Sequence, residues 1–174
     1  MKIKILDVEL IGDISYDMIG YSDAYKDIVA NVRRVRPDID QTQLRMLSKH
    51  LTMKITYSIK GRIDIKILVF RPGFIFDTAS IPNWMKWFID NDGPNMLIPS
   101  LYHDAGYGLN FNSRRFTDAM FRALVRFYGK KYGVRFYRLK AFIGWCGPAS
   151  PVGKRIYNSV KPIDHFNFGL CYEQ

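Results

Sequence analysis

The chain has 174 residues, 48% of them hydrophobic and 15% aromatic, and a formal charge of +10. That length suits one compact domain able to bury a core without disulfides or metal, and that composition excludes a disordered or fibrous protein. Two cysteines, Cys146 and Cys171, make no disulfide framework and point to reduced thiols and a cytosolic origin.

The opening "MKIKILDVELIGD" is broken by Asp7 and Glu9 before a signal core can form, and no apolar run is long enough to span a bilayer. Residues 2–11 alternate as a strand. Residues 23–35 predict a helix stopped before Pro37, and residues 40–50 a second helix with Asp40 as N-cap. Two alternating strands over 51–59 and 62–70, turning at Lys60–Gly61, predict a hairpin.

Pro82 predicts a short helix running through Trp87–Phe88, with Ser80 or Ile81 just ahead of it. Residues 97–107 predict a helix opened by Pro99. A longer helix is predicted from about 114 to 131, capped by Asn112 or Ser113 and punctuated by Gly129 and Gly133. A last helix covers about 134–146, and the remaining tail reads as loop. The fold class is α+β: a small antiparallel sheet, built on the hairpin at about 51–70, packed by C-terminal helices. The chain divides into a core, an N-terminal extension over 1–50 and a tail over 148–174.

Charge is uneven. Residues 1–50 hold eight basic and eight acidic residues, whereas residues 105–174 hold twelve against three. A one-sided basic surface favours polyanions such as nucleic acid, an anionic membrane face or a cell-wall polymer; its simplest alternative is a solvated face that aids solubility. Arg115, Arg122, Arg126, Lys130 and Lys131 carry the polyanion reading. Tyr128, Tyr132, Phe136 and Tyr137 interleave with basic residues in a manner that suits single-stranded nucleic acid, although aromatics at such spacings are more often core.

On the 97–107 helix, Ser100, His103, Asp104 and Tyr107 share one side. On the next helix Phe116, Met120, Ala123, Leu124 and Phe127 make a core stripe, and Asp118 falls outside it. With Asp77 and Ser80, these residues form a candidate constellation. One reading makes Asp77, His103 and Asp118 ligands of a divalent metal such as zinc, with Asp104, Tyr107 and Ser80 in catalytic roles. Another makes a carboxylate orient an acid–base imidazole. Each residue also has a structural reading: a turn or helix cap for Asp77 and Ser80, a satisfied core imidazole, an arginine partner for Asp104, a packed Tyr107, and a helix-end charge for Asp118. Phosphate-binding glycine loops, paired Cys-x-x-Cys, His-Glu-x-x-His and Gly-x-Ser-x-Gly are absent from the sequence.

The ordered segments "PGFIFDTASIP", "LYHDAGY" and "FTDAMFRALVRFYG" resemble a small family of unknown function found mainly in tailed bacteriophages and prophages. The resemblance spans about residues 52–147. It rests on Gly73, Phe74, Asp77, Ala79, Ser80 and Pro82, then His103, Asp104 and Tyr107, then Asp118, then Gly144 or Gly147. Phe76 departs from the pattern, where a small polar residue usually precedes the Asp. The resemblance implies a phage protein made in the host cytoplasm, with the virion as a further destination, but no activity. Two functions follow as expectations. One is a metal-dependent hydrolase acting on peptidoglycan or a phosphodiester. The other is a non-enzymatic virion or host-interaction protein, with the His/Asp cluster as a structural network and the basic half binding a polyanion or a phage or host protein.

Overall fold

The computed structural model describes residues 1–35, 41–78, 93–109, 112–149, 151, 154 and 170–173. In chain order its elements are β1 (Ile3–Ile11), β2 (Tyr16–Asp17), α1 (Lys26–Val35), β3 (Leu44–Leu47), β4 (Leu51–Ile59), β5 (Arg62–Phe70), β6 (Ile75–Asp77), α2 (Pro94–Gly108), α3 (Arg114–Lys131), α4 (Tyr137–Ala149) and β7 (Cys171–Glu173). The fold is α+β. One antiparallel sheet runs β1-β4-β5-β7 and a smaller one runs β2-β3-β6.

The larger sheet grows from the hairpin. Along β4, Leu51, Met53, Ile55 and Tyr57 are buried while the residues between them are half-buried, the period-two pattern of a strand with one face on a core. Lys60 and Gly61 both take positive φ, at 52° and 86°, which is what a tight hairpin turn requires of its two central residues. β1 pairs with β4 from Ile3↔Ile59 to Ile11↔Thr52, with an irregularity between Ile5 and Asp7. The N-terminal residues are therefore built into the sheet. At the other edge Leu68↔Glu173, Val69↔Tyr172 and Phe70↔Cys171 join β7 to β5. The expected loop-like tail thus ends in a strand, three residues long and too short to show a period.

The expected helix over 40–50 is not formed. Gln41–Gln43 make one 3-10 turn and Leu44–Leu47 are β3. Tertiary pairing overrides local propensity here: β3 lies between β2 and β6, and Leu44, Arg45 and Leu47 are all buried. The helix expected from residue 23 opens as a 3-10 turn over Asp23–Tyr25 and becomes α1 at Lys26. α2 starts at Pro94 rather than Pro99, which lies inside the helix. α4 runs three residues later at each end than expected. The short helix expected from Pro82 lies outside the described residues, and so does Ser80.

The main core forms where Met53, Ile55, Leu68 and Phe70 of the sheet meet Leu101, Tyr102 and Ala105 of α2 and Met120, Leu124 and Tyr128 of α3. Tyr128 is thereby a core residue, not a surface stacking platform. Ser113 caps α3, its Oγ accepting from the Phe116 N–H at 3.3 Å. Gly106 sets the approach of α2 to α3: a Cβ there would stand 2.6 Å from Thr117 Cγ2 and 3.0 Å from its Oγ1. Gly106→Ala is therefore expected to cost about 1–3 kcal/mol in urea unfolding, and Thr117→Ala in the same chain to restore part of that loss by removing both clashing atoms.

Candidate functional site

Three elements converge on one imidazole. The helical period places His103, Asp104 and Tyr107 on adjoining positions of α2, and the first turns of α3 bring Arg114 and Asp118 against them, spaced i,i+4. β6 ends at Asp77 beside the same cluster. His103 Nδ1 lies 3.6 Å from Asp104 Oδ1 and Nε2 lies 3.5 Å from Asp118 Oδ1. The Tyr107 hydroxyl donates to Asp118 Oδ1 at 2.6 Å. Arg114 Nη1 stands 3.8 Å from Asp118 Oδ2 and donates to the Pro148 carbonyl of α4 at 2.7 Å. The Asp77 backbone N–H donates to Asp104 Oδ2 at 2.6 Å.

The ring of His103 is held between Tyr107, 4.1 Å away centroid to centroid, and Phe121 at 5.1 Å. Its side chain is 15% exposed and that of Asp118 only 5%. Burial alone would favour the neutral imidazole, but the hydrogen bonding and charge of Asp104 and Asp118 outweigh it and push the pKa up to about 9. His103 is accordingly an imidazolium at neutral pH. Its charge and that of Arg114 balance those of Asp104 and Asp118. Burial and the neighbouring Asp118 push the Tyr107 hydroxyl well above its usual range, so it stays protonated and donates.

The structure thus brings together His103, Asp104, Tyr107 and Asp118. Asp77 joins them through its backbone N–H to Asp104. The expected metal ligands are Asp77, His103 and Asp118. Among the described residues no group of three or more His, Cys, Asp or Glu is disposed to hold a metal ion. Each ring nitrogen of His103 lies at ion-pair distance from a carboxylate, and the buried Nε2 makes no hydrogen bond.

Arg114 was not among the expected site residues. Its i,i+4 spacing from Asp118 was the available signal. A second polar group escaped sequence reasoning: Lys66 is buried on the core face of β5 and pairs with Glu173 of β7, with the Phe116 ring 5.7 Å away. Partners so far apart in the chain leave no local signature.

A family described as a protein of unknown function (DUF1353) matches residues 51–143. The chain belongs to this family. The matched stretch holds β4, β5, β6, α2, α3 and the first half of α4, and so every residue of the His103 cluster. No curated protein and no solved structure matches the chain. β1, β2, β3 and β7 fall outside the DUF1353 match yet complete both sheets around it.

The raised pKa sets a pH dependence. A cation stabilised by folding contributes fully below the unfolded value of 6.5, and the contribution disappears as pH rises through about 9. Unfolding free energy is expected to fall by an amount on the order of 3 kcal/mol across that interval. Denaturant titrations at several pH values would read it. His103→Gln should be less stable at pH 6 and should lack that slope, whereas an equal slope in both proteins would remove His103 as its source.

Proposed function

We propose that the chain is a binding protein whose His103 cluster is a structural lock and whose basic C-terminal half engages a polyanionic partner. The observation that carries this reading is the closure of the cluster on itself. Both imidazole nitrogens face carboxylates, each carboxylate has a further donor, and the charges of the set cancel. A general base needs a free lone pair near neutral pH, and a metal ligand needs one too. A buried ion-pair network instead favours one packing of the elements that supply it.

The partner-binding half is α3 with α4. Arg115, Arg126, Lys130 and Lys131 are exposed along α3, and Arg122 is half-buried. In the phage or prophage setting that the motifs imply, the partner is a polyanion or an acidic surface on a phage or host protein. Single-stranded oligonucleotide, heparin and anionic vesicles should each be offered as probes by fluorescence anisotropy or co-sedimentation. Binding to at least one is expected, weakening as salt rises. Arg126→Glu with Lys130→Glu is expected to cost tenfold or more in affinity, at about 1 kcal/mol or more for each reversed charge. Absence of binding to every probe at low salt would end this reading.

A hydrolase is the second reading, favoured by one observation: the Asp104 side chain keeps 24% of its surface exposed beside the end of β6. Asp104, Tyr107 and Ser80 would then act on peptidoglycan or a phosphodiester, with a divalent ion such as zinc recruited by Asp77, His103 and Asp118 after the cluster opens. Peptidoglycan release and phosphodiester turnover, each with and without zinc, would decide it. Turnover lost in a folded Asp104→Asn variant would favour the hydrolase over the lock. No turnover under any condition would dismiss it.

A further inference from the structure

We infer that the outer face of α4, with the basic edge of α3 beside it, docks on an anionic lipid surface. This rests on the reading of the C-terminal half as a polyanion-binding face, and it names the polyanion.

α4 is apolar on two opposite sides. One side sets Ala141 against Met96, Phe121 and Val125, and Ile143 packs at the margin of that cluster. The other side carries Leu139, Phe142 and Cys146 at i, i+3 and i+7, one continuous stripe on a helix. Leu139 and Phe142 are 49% and 45% exposed, and Cys146 is exposed as well. Phe136, 54% exposed, stands at the corner where α3 turns into α4. Its φ of 56° is in the left-handed region, where a bulky side chain is strained by about 1 kcal/mol or more.

Cations ring this stripe. The Arg122 guanidinium lies 5.4 Å from the Phe142 ring centroid and 5.0 Å from that of Trp145, and Arg135 lies 4.8 Å from that of Phe136. Arg138 lies 5.9 Å from the Tyr137 ring. Between Asp118 and Asp164 the sequence has no acidic residue. Apolar side chains flanked by long cations whose stems lie along them are the composition of an interfacial helix. The apolar groups enter the acyl boundary and the charged heads reach the anionic headgroups. No helix among the described residues is long and apolar enough to cross a membrane, so α4 would lie in the plane of the surface.

Two points favour lipid over single-stranded nucleic acid. Leu139 and Cys146 offer no face on which a base can stack. Arg122 already lies over the rings of Phe142 and Trp145. The segment that follows α4 carries Lys154, Arg155 and Lys161 against Asp164, so charge selects an anionic partner over that segment as the occupant.

The test is co-sedimentation of the full chain with vesicles of phosphatidylcholine alone and with about 30 mol% phosphatidylglycerol added. A single-stranded oligothymidylate and heparin are assayed in parallel. Binding is expected only with the anionic lipid, and at least tenfold weaker in a Leu139→Ser, Phe142→Ser variant and in an Arg126→Glu, Lys130→Glu variant. Both pairs are surface changes, and unchanged thermal unfolding would confirm that each variant is folded. Vesicle binding that survives loss of Leu139 and Phe142 would overturn the stripe as the docking face. Binding to oligothymidylate or heparin but not to vesicles would overturn the lipid while leaving the polyanion reading intact, and binding to none of the three would overturn both. A dimer that forms through this face, lost in the Leu139→Ser, Phe142→Ser variant and accompanied by no vesicle binding, would assign the stripe to a second copy instead.

Discussion

One buried cation holds the helical layer to the smaller sheet. His103 lies between Asp104 of its own helix and Asp118 of α3, and both carboxylates carry a second duty. Asp104 accepts the backbone N–H of Asp77 and so fastens α2 to the end of β6. Asp118 accepts from Tyr107 and faces Arg114, which reaches across to a carbonyl of α4. β6, α2, α3 and α4 are therefore joined through groups that touch one imidazolium. Removing one member of such a set leaves a charge without its partner in a dry place, which costs far more than the pair is worth against an apolar replacement. What the arrangement secures is registry: no other sliding of α2 along α3 puts a carboxylate at each ring nitrogen.

The larger sheet has its own polar closure. Lys66 sits in a core-facing position of β5, where a cation is tolerated only with a counter-charge, and Glu173 supplies it from the neighbouring β7. The same face holds Tyr57, whose hydroxyl donates to Asp64 at 3.2 Å. Burial and the nearby Asp64 push that hydroxyl up to about 12, so it remains a donor. A three-residue edge strand gains little from its own ladder. The ion pair, together with Cys171 buried against the main core, gives β7 a reason to stay on β5 and so covers an edge that would otherwise be open.

The hairpin, the long capped helix and the grouping of His103, Asp104 and Tyr107 were legible because each is written in a short period: two for β4 and β5, three to four for α2 and α3. Asp118 was legible for a different reason, as a carboxylate displaced from the apolar stripe of its own helix. β3 was not legible. "LRML" carries helix-forming residues, and only pairing on both sides with β2 and β6 makes it a strand. β7 was hidden by its shortness, and Lys66–Glu173 by the length of chain between the partners. The sequence could bring Asp77 near His103 but could not say which atom would arrive. The contact that the structure shows is made by the Asp77 backbone N–H, on Asp104 Oδ2.

Polarity in this chain is sorted by depth. The buried charges at His103, Asp104, Asp118 and Arg114 cancel, and so do those at Lys66 and Glu173. The sequence places most of the +10 after residue 105, and Arg115, Arg126, Lys130 and Lys131 are exposed there. Neutralised charge costs least where water is absent, while unneutralised charge acts at long range only where water and partners can reach it. A protein that needed its histidine for proton transfer would gain by leaving one ring nitrogen uncommitted, with a pKa near the working pH. Here both nitrogens lie beside carboxylates and the pKa is raised, while Arg122 stands beside the rings of Phe142 and Trp145 on α4. On the proposed reading, the outer face of the helices carries the binding chemistry and the His103 cluster holds those helices in place.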